Sequence, residues 1–210
     1  MVEVKPDSDA THSLLERIEA GESGAIDGLL ARHRPWLQYL VQFRLDGRLR
    51  SRVDASDVVQ ETQLDAFRRL PEFLERRPMP FRLWLRKTFE ERMRMIERQH
   101  LEALRRATGR EVPLRDGSAA PVTALVAGTD PSPSEQFAQF ELARRMRDLL
   151  GQLEDMDREI LLMRTFEGLS YAEVACILEI DSATARKRHG RALVRLHKLL
   201  TDRNITESQL

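Results

Sequence analysis

The stretch Gly168-Leu169-Ser170-Tyr171-Ala172-Glu173-Val174-Ala175-Cys176-Ile177-Leu178-Glu179-Ile180-Asp181-Ser182-Ala183-Thr184-Ala185-Arg186-Lys187-Arg188-His189-Gly190-Arg191 decides how this chain is read. Ser170 stands three residues before Glu173, the spacing of a capping box, in which the two side chains satisfy backbone N–H groups at a helix start. A short helix follows, with Val174, Ala175 and Leu178 on one apolar face. Ala175 is small enough for a second helix to approach, and Ile180 is placed to plug the core from the turn. Asp181 or Ser182 then caps a second helix, with Ala183, Ala185, Ala192, Leu193 and Leu196 among its apolar positions. Its outward positions are Thr184, Arg186, Lys187, Arg188 and Arg191. These are the parts of a helix-turn-helix in their proper order. Such a second helix can enter the major groove, where Arg bonds guanine edges and neighbouring cations neutralise phosphate. The competing interpretation is an αα-hairpin with a solvated basic face.

Upstream, Leu149, Leu150, Leu153, Ile160, Leu161, Leu162, Met163 and Phe166 supply helices for this module to pack against. Before them, residues 107–134 hold Gly109, Pro113, Gly117, Pro121, Gly128, Pro131 and Pro133 and sustain no period. So long a structureless stretch fits a link between domains better than a loop within one. Residues 11–106 are helical in pattern again. Leu14, Leu15 and Ile18, then Ile26, Leu29 and Leu30, then Leu37, Leu40 and Val41 recur at helical spacing, with Pro35 read as opening a helix. Asp54 or Ser56 caps the next helix, expected to stop near Leu70 before Pro71. After Pro78-Met79-Pro80, a long amphipathic helix carries Leu83, Trp84, Phe89, Met93 and Ile96 on its apolar face. The expected fold is all-α: two small helical domains, 11–106 and 135–203, joined by a flexible linker over 107–134.

The chain has 210 residues, 32% charged and 41% hydrophobic, a globular rather than disordered balance. No apolar run approaches the roughly 20 residues that span a bilayer, and the start Met1-Val2-Glu3-Val4-Lys5-Pro6-Asp7 lacks a signal-peptide pattern. No membrane association is expected, and the cytoplasm is the expected compartment. Cys176 is the single cysteine, which excludes an intrachain disulfide and a cysteine-based zinc site. Five scattered His and no Gly-rich phosphate loop give no constellation for catalysis, so no enzyme, metal or cofactor is expected. Net charge is zero but unevenly spread: residues 81–110 hold nine Arg or Lys against four Asp or Glu, and residues 181–203 seven against two. Two basic patches suit two contacts with a polyanion.

The segment Leu153-Glu154-Asp155-Met156-Asp157-Arg158-Glu159-Ile160-Leu161-Leu162-Met163-Arg164, with Glu167 to Ala175 after it, resembles region 4 of the sigma-70 family. Independently, Asp54-Ala55-Ser56-Asp57-Val58-Val59-Gln60-Glu61 resembles region 2.2 of that family's extracytoplasmic-function group. Pro80-Phe81-Arg82-Leu83-Trp84-Leu85-Arg86 is similar to its region 2.3–2.4 helix. The resemblance spans residues 14–98 and 136–200. It implies a factor that binds core RNA polymerase, recognises promoter −35 and −10 elements and promotes DNA melting.

Asp54, Asp57 and Glu61 fall at i, i+3 and i+7, which makes one helix face acidic. Alone, that face reads more readily as a solvated one that helps cap its own helix. The resemblance implies that Asp54, Asp57, Val58, Gln60 and Glu61 dock a coiled coil on the polymerase clamp. It assigns Arg82, Arg86, Lys87 and Arg94 to −10 DNA, with Arg92 and Arg98 alongside, and Arg76 and Arg77 to a loop that captures an extruded base. Ser182, Thr184, Arg186, Lys187, Arg188 and Arg191 would read the −35 element. In similar factors the linker threads the active-site and RNA-exit channels, region 4 holds the polymerase flap, and an anti-sigma factor often restrains the whole.

Trp84 has two readings, a stacking platform for a base or a core residue. Departures from the family pattern are Glu179 where Gly is common, and Ala185 and His189 where larger apolar residues are usual, which predicts a loosely seated recognition helix. The acidic run 154–159 reads as a docking face or as solvated helix ends. Two rivals stand: a helix-turn-helix regulator with a sensor domain, and a helical anti-sigma-like adaptor.

Overall fold

The computed structural model describes residues 4–45, 49, 52–106 and 149–202. Among these, seven α-helices and one π-helical turn occur and no strand. Helix α1 spans Asp9–Glu19, α2 Ala25–Arg44, α3 Ala55–Arg76 and α4 Phe81–Arg106. In the C-terminal body, α5 spans Asp155–Leu161, the π turn Leu162–Phe166, α6 Tyr171–Leu178 and α7 Ser182–Asp202. The all-α class agrees with the sequence. The linker 107–134 and the expected domain start at 135 lie outside the described residues.

Local chemistry sets the helix ends. The Ser8 hydroxyl accepts the Thr11 N–H at 3.4 Å to open α1, and Asp54 accepts the Ser56 N–H at 2.7 Å to open α3. Between α1 and α2 the chain turns on Gly21 and Gly24, at φ 74° and 84°, values that L side chains resist.

Two sequence expectations fail at prolines. Pro35 opens no helix but sits inside α2, and α3 runs through Pro71 to Arg76 instead of stopping at Leu70. Both prolines are on solvent-facing turns, as are Ala31 and Phe67 four residues earlier. The carbonyl that each proline leaves unpaired therefore has water available.

Leu15, Leu29, Leu37, Val41, Val59, Leu70, Phe73, Phe81, Leu85, Phe89 and Met93 form the first core, with α1 to α4 wrapped around it. Trp84 belongs to this core, its ring centroid 4.7 Å from Phe73 and 5.6 Å from Phe81. It is no stacking platform. Burying such a ring contributes about 1.5–3 kcal/mol. The second core gathers Leu150, Leu153, Ile160, Met163, Val174, Ile177, Ala185 and Ala192. Leu83 of α4 joins this second core rather than the first, so α4 packs on both bodies.

Candidate nucleic-acid and protein interfaces

The helix-turn-helix forms as its sequence dictates. Ser170 accepts the Glu173 N–H at 3.2 Å while its own N–H donates to Glu173 Oε2 at 2.7 Å, completing the capping box. Glu179 ends α6 at φ 55°, the left-handed conformation that Gly adopts with less strain. Asp181 is the cap of α7: it accepts the Thr184 N–H at 2.8 Å and the Thr184 hydroxyl at 2.6 Å. Thr184 is thus partly committed to the cap before any base is met.

Ala185 and Ala192 are wholly buried. These small side chains admit close packing, and the loose seating expected of α7 does not occur there. His189 turns to Tyr171, whose hydroxyl lies 3.1 Å from Nδ1. Burial, then the nearby Arg164 charge, lowers the His189 pKa and favours the neutral ring. Arg186, Lys187 and Arg191 are exposed, while Ser182, Thr184 and Arg188 are half-buried. Arg186 lies over the Tyr171 ring at 5.3 Å. Lys187, Arg188 and Arg191 make no ion pair with the described residues.

The basic residues of α4 are in a different situation. Arg82 pairs with Glu173, and Lys87 pairs with Glu179. Arg86, expected to face DNA, is buried instead. Its Nε donates to both Glu167 oxygens at 3.0 Å, Nη2 to Glu159 at 2.7 Å and Nη1 to Glu90 at 3.3 Å. It must be buried because Leu83, one turn earlier, is drawn into the second core on the same side of the helix. Arg92 donates to Asp65 at 2.8 Å and to Glu61 at 3.1 Å, and Arg94 donates to Glu90 at 3.0 Å.

Behind Arg86, Arg44 of α2 reaches Glu97 at 2.5 Å, Glu90 at 3.3 Å and also Glu159. Arg158 bridges Glu97 at 3.2 Å and Asp155 at 2.8 Å. The acidic run 154–159 is therefore not simply a set of solvated helix ends. Glu154 and Asp155 are exposed, but Asp157 is buried against Arg195, and Glu159 is 1% exposed. Burial and then the adjoining Glu90 charge push Glu159 up to about 7, against the pull of Arg44 and Arg86. For Glu90, burial is outweighed by Arg44, the Glu159 hydrogen bond and Arg86, which hold it well below the usual carboxylate range.

Arg76 and Arg77 are exposed at the end of α3, paired with Glu72 at 2.9 Å and Glu19 at 2.5 Å. Beside them a cavity of about 530 Å³ is lined by Phe73, Arg77, Met79 and Pro80 from the loop side and by Asp7, Asp9 and His12 from the α1 side. That volume lies within the ordinary range for small-molecule sites.

On α3, Asp57, Gln60 and Glu61 are exposed together, while Asp54 serves its own helix cap. Val58, expected to be available for contact, is 1% exposed and packs in the first core. It stands beside Val59, and the two valines are buried together in the first core. Leu64 and Phe67, passed over in the sequence, are 45% and 50% exposed. They stand at i+7 and i+10 from Asp57, continuing the face of Gln60 and Glu61. Their spacing was the available signal: it places two apolar groups on the acidic face, away from Thr62, Ala66 and Leu70.

Among the described residues, no group of three or more His, Cys, Asp or Glu is arranged to hold a metal ion, and no helix is long and apolar enough to cross a membrane. The family description "Sigma-70 region 2" matches residues 29–109, and "Sigma-70, region 4" matches residues 143–196. Similar proteins include the probable RNA polymerase sigma factor RfaY of Xanthomonas campestris, 32% identical over 71% of this chain. The chain spans about a third (34%) of RfaY. RNA polymerase sigma factor CnrH of Cupriavidus metallidurans is 30% identical over 91% of this chain and 95% of its own length. The ECF RNA polymerase sigma-E factor of Haemophilus influenzae is 28% identical over 86% of this chain and 89% of its own. Among solved structures, CnrH in complex with the cytosolic domain of CnrY superposes with a TM-score of 0.62 at 26% identity, covering 92% of this chain and 99% of that one. The chain therefore belongs to the sigma-70 family of RNA polymerase sigma factors, as an alternative, extracytoplasmic-function type factor of transcription initiation.

Proposed function

We propose that this chain acts without catalytic chemistry of its own, in the cytoplasm, as a two-handed clamp between core polymerase and promoter DNA. Asp57, Gln60 and Glu61, with Leu64 and Phe67 as apolar anchors, dock the polymerase clamp. Asp54 contributes by starting the helix that presents them. Arg186, Lys187, Arg188 and Arg191, with Ser182 and Thr184 at the helix start, contact the −35 element. Arg82, Lys87 and Arg94 hold the backbone of the melted −10 strand, on the helix that the buried Arg86 anchors. The cavity beside Arg77 accepts an extruded base, with Arg76 at its approach. Duplex opening then needs no nucleotide hydrolysis, because binding energy is released only with the single-stranded form.

A protein partner that restrains the factor is proposed on the same footing, since CnrH was solved with the cytosolic domain of CnrY bound. The linker is assigned to the polymerase channels and region 4 to the flap.

One observation carries the proposal. A single chain presents both an exposed acidic–apolar face on α3 and, at Lys187, Arg188 and Arg191 of α7, cations with no ion pair among the described residues, in bodies that match regions 2 and 4. Co-purification with core polymerase tests it. Wild type is expected to be retained, and Asp57→Arg and Phe67→Glu are expected to lose retention while keeping wild-type helicity. Retention of both variants at wild-type level would overturn the docking assignment.

A further inference from the structure

The start of α4 is closed from a distance. Phe81 and Arg82 open the helix, and their N–H groups are among the donors that a helix leaves unsatisfied. Pro80, just before them, has no side-chain acceptor, and its carbonyl already takes the Leu83 and Trp84 N–H groups at 3.0 and 3.1 Å. The cap comes instead from the N-terminal arm, residues 4–8. Asp7 accepts the Phe81 N–H at 2.6 Å through one carboxylate oxygen and the Arg82 N–H at 3.1 Å through the other. A carboxylate there also meets the positive end of the α4 dipole. Arg82 ties the arm a second time, its guanidinium donating to the Lys5 carbonyl at 2.9 Å.

The arm then runs straight into α1. Ser8, next to Asp7, caps α1, so two adjacent residues join the starts of two helices. The loop between α3 and α4 is held at its other end from the last residue of α1. There Glu19 pairs with Arg77 at 2.5 Å, where the chain leaves α3 at φ 37°. Asp7 and Glu19 therefore bracket the loop from either end of α1. The cavity of about 530 Å³ lies between these ties, with Pro6 and Leu15 on one wall and Phe73 and Met79 on the other.

We propose that Asp7 is a positioning residue of this pocket: by capping α4 from the N-terminal arm, it sets the loop of Met79 and Pro80 against α1 at the width that admits an extruded base. The proposal rests on the extruded-base reading of the cavity made above. Both Asp7 oxygens are engaged by backbone N–H groups, so Asp7 acts through the wall it fixes and not by reading the base. Without it the loop is free to move away from α1, and a base left with one wall loses part of its stacking. Arg94, about three turns further along α4, contacts phosphate independently of that width.

Fluorescence anisotropy of the full chain assembled with core polymerase tests this, with core polymerase alone as background. Two labelled probes of equal length are compared, oligo-dT and a strand of abasic tetrahydrofuran sugars. Wild type should prefer oligo-dT, and Asp7→Ala should lose about tenfold of that preference while binding the abasic strand as before. Asp7→Asn, which keeps the volume and one acceptor but not the charge, should lose about threefold. In both variants the Phe81 and Arg82 amides of the free chain should exchange hydrogen faster, and unchanged exchange overturns the cap. An undiminished preference in Asp7→Ala overturns the positioning role and leaves the pocket in place. Equal weakening of both strands also overturns it, since general damage to α4 would do the same. No preference in wild type overturns the extruded-base reading, and the inference with it. If Asp7→Ala does not fold, Asp7→Asn decides by the same criteria.

Discussion

Helices α4 and α7 are both basic, yet the structure treats them oppositely. On α7, the exposed Lys187 and Arg191 and the half-buried Arg188 have no carboxylate partners among the described residues. On α4, the cations from Arg82 to Arg94 are matched, and Arg86 is buried among three glutamates. Counting charges along the chain cannot separate these cases. A free basic face is an electrostatic site ready for a polyanion, whereas a matched one must first give up its partners. Under the proposed assignment, the difference means that the α7 contact is ready for DNA while the α4 contact must first exchange its carboxylate partners.

The largest contrast should appear in stability. Arg86→Ala leaves Glu90, Glu159 and Glu167 without their shared guanidinium and should cost about 3–5 kcal/mol. Arg191→Ala, on the open face, should stay within about 0.5 kcal/mol. Urea unfolding of the two variants measures this, and equal losses would erase the distinction.

Nucleic-acid binding should show the reverse order. Lys187→Ala with Arg191→Ala should weaken duplex binding across sequences and lower the salt slope by about one for each lost phosphate contact. An unaltered slope in fluorescence anisotropy would place the duplex elsewhere.

A smaller effect concerns pH. Glu159 is raised above its unfolded value, so its contribution is fully present below the ordinary carboxylate value and lost as pH rises through about 7. Glu90, held low, contributes in the opposite range and is lost only in acid. Between pH 6 and pH 8 the Glu159 effect governs, and wild type should lose about 1 kcal/mol. Glu159→Gln should flatten the curve over that window, leaving only what Glu97 and Glu167, also raised by burial, contribute. A wild-type curve already flat would show that Glu159 is ionised in the folded protein.

Much of the helix-turn-helix was legible because its determinants are local. The Ser170–Glu173 capping box, the apolar Val174 and Ala175, and a cap at Asp181 or Ser182 all lie within a few residues of what they control. The spacing of Trp84 with Phe89 and Ile96 favoured its core reading, and the ring contacts with Phe73 and Phe81 decide for it. Pro35 and Pro71 misled because proline reports a missing N–H but not whether the freed carbonyl faces water. Val58 misled for a related reason: an acidic face locates its neighbours only to within one residue of helical rotation. The burial of Arg86 and Glu159 was not legible at all. They meet across 73 positions of chain, and no periodicity encodes a contact between two bodies.

Promoter-dependent run-off transcription with purified core polymerase tests the central claim most directly. On templates drawn from this factor's own candidate promoters, wild type should give a discrete product that core polymerase alone does not. Asp57→Arg should abolish that product, and Lys187→Ala with Arg191→Ala should reduce it. No product from any such promoter, or an undiminished product from Asp57→Arg, would contradict the account.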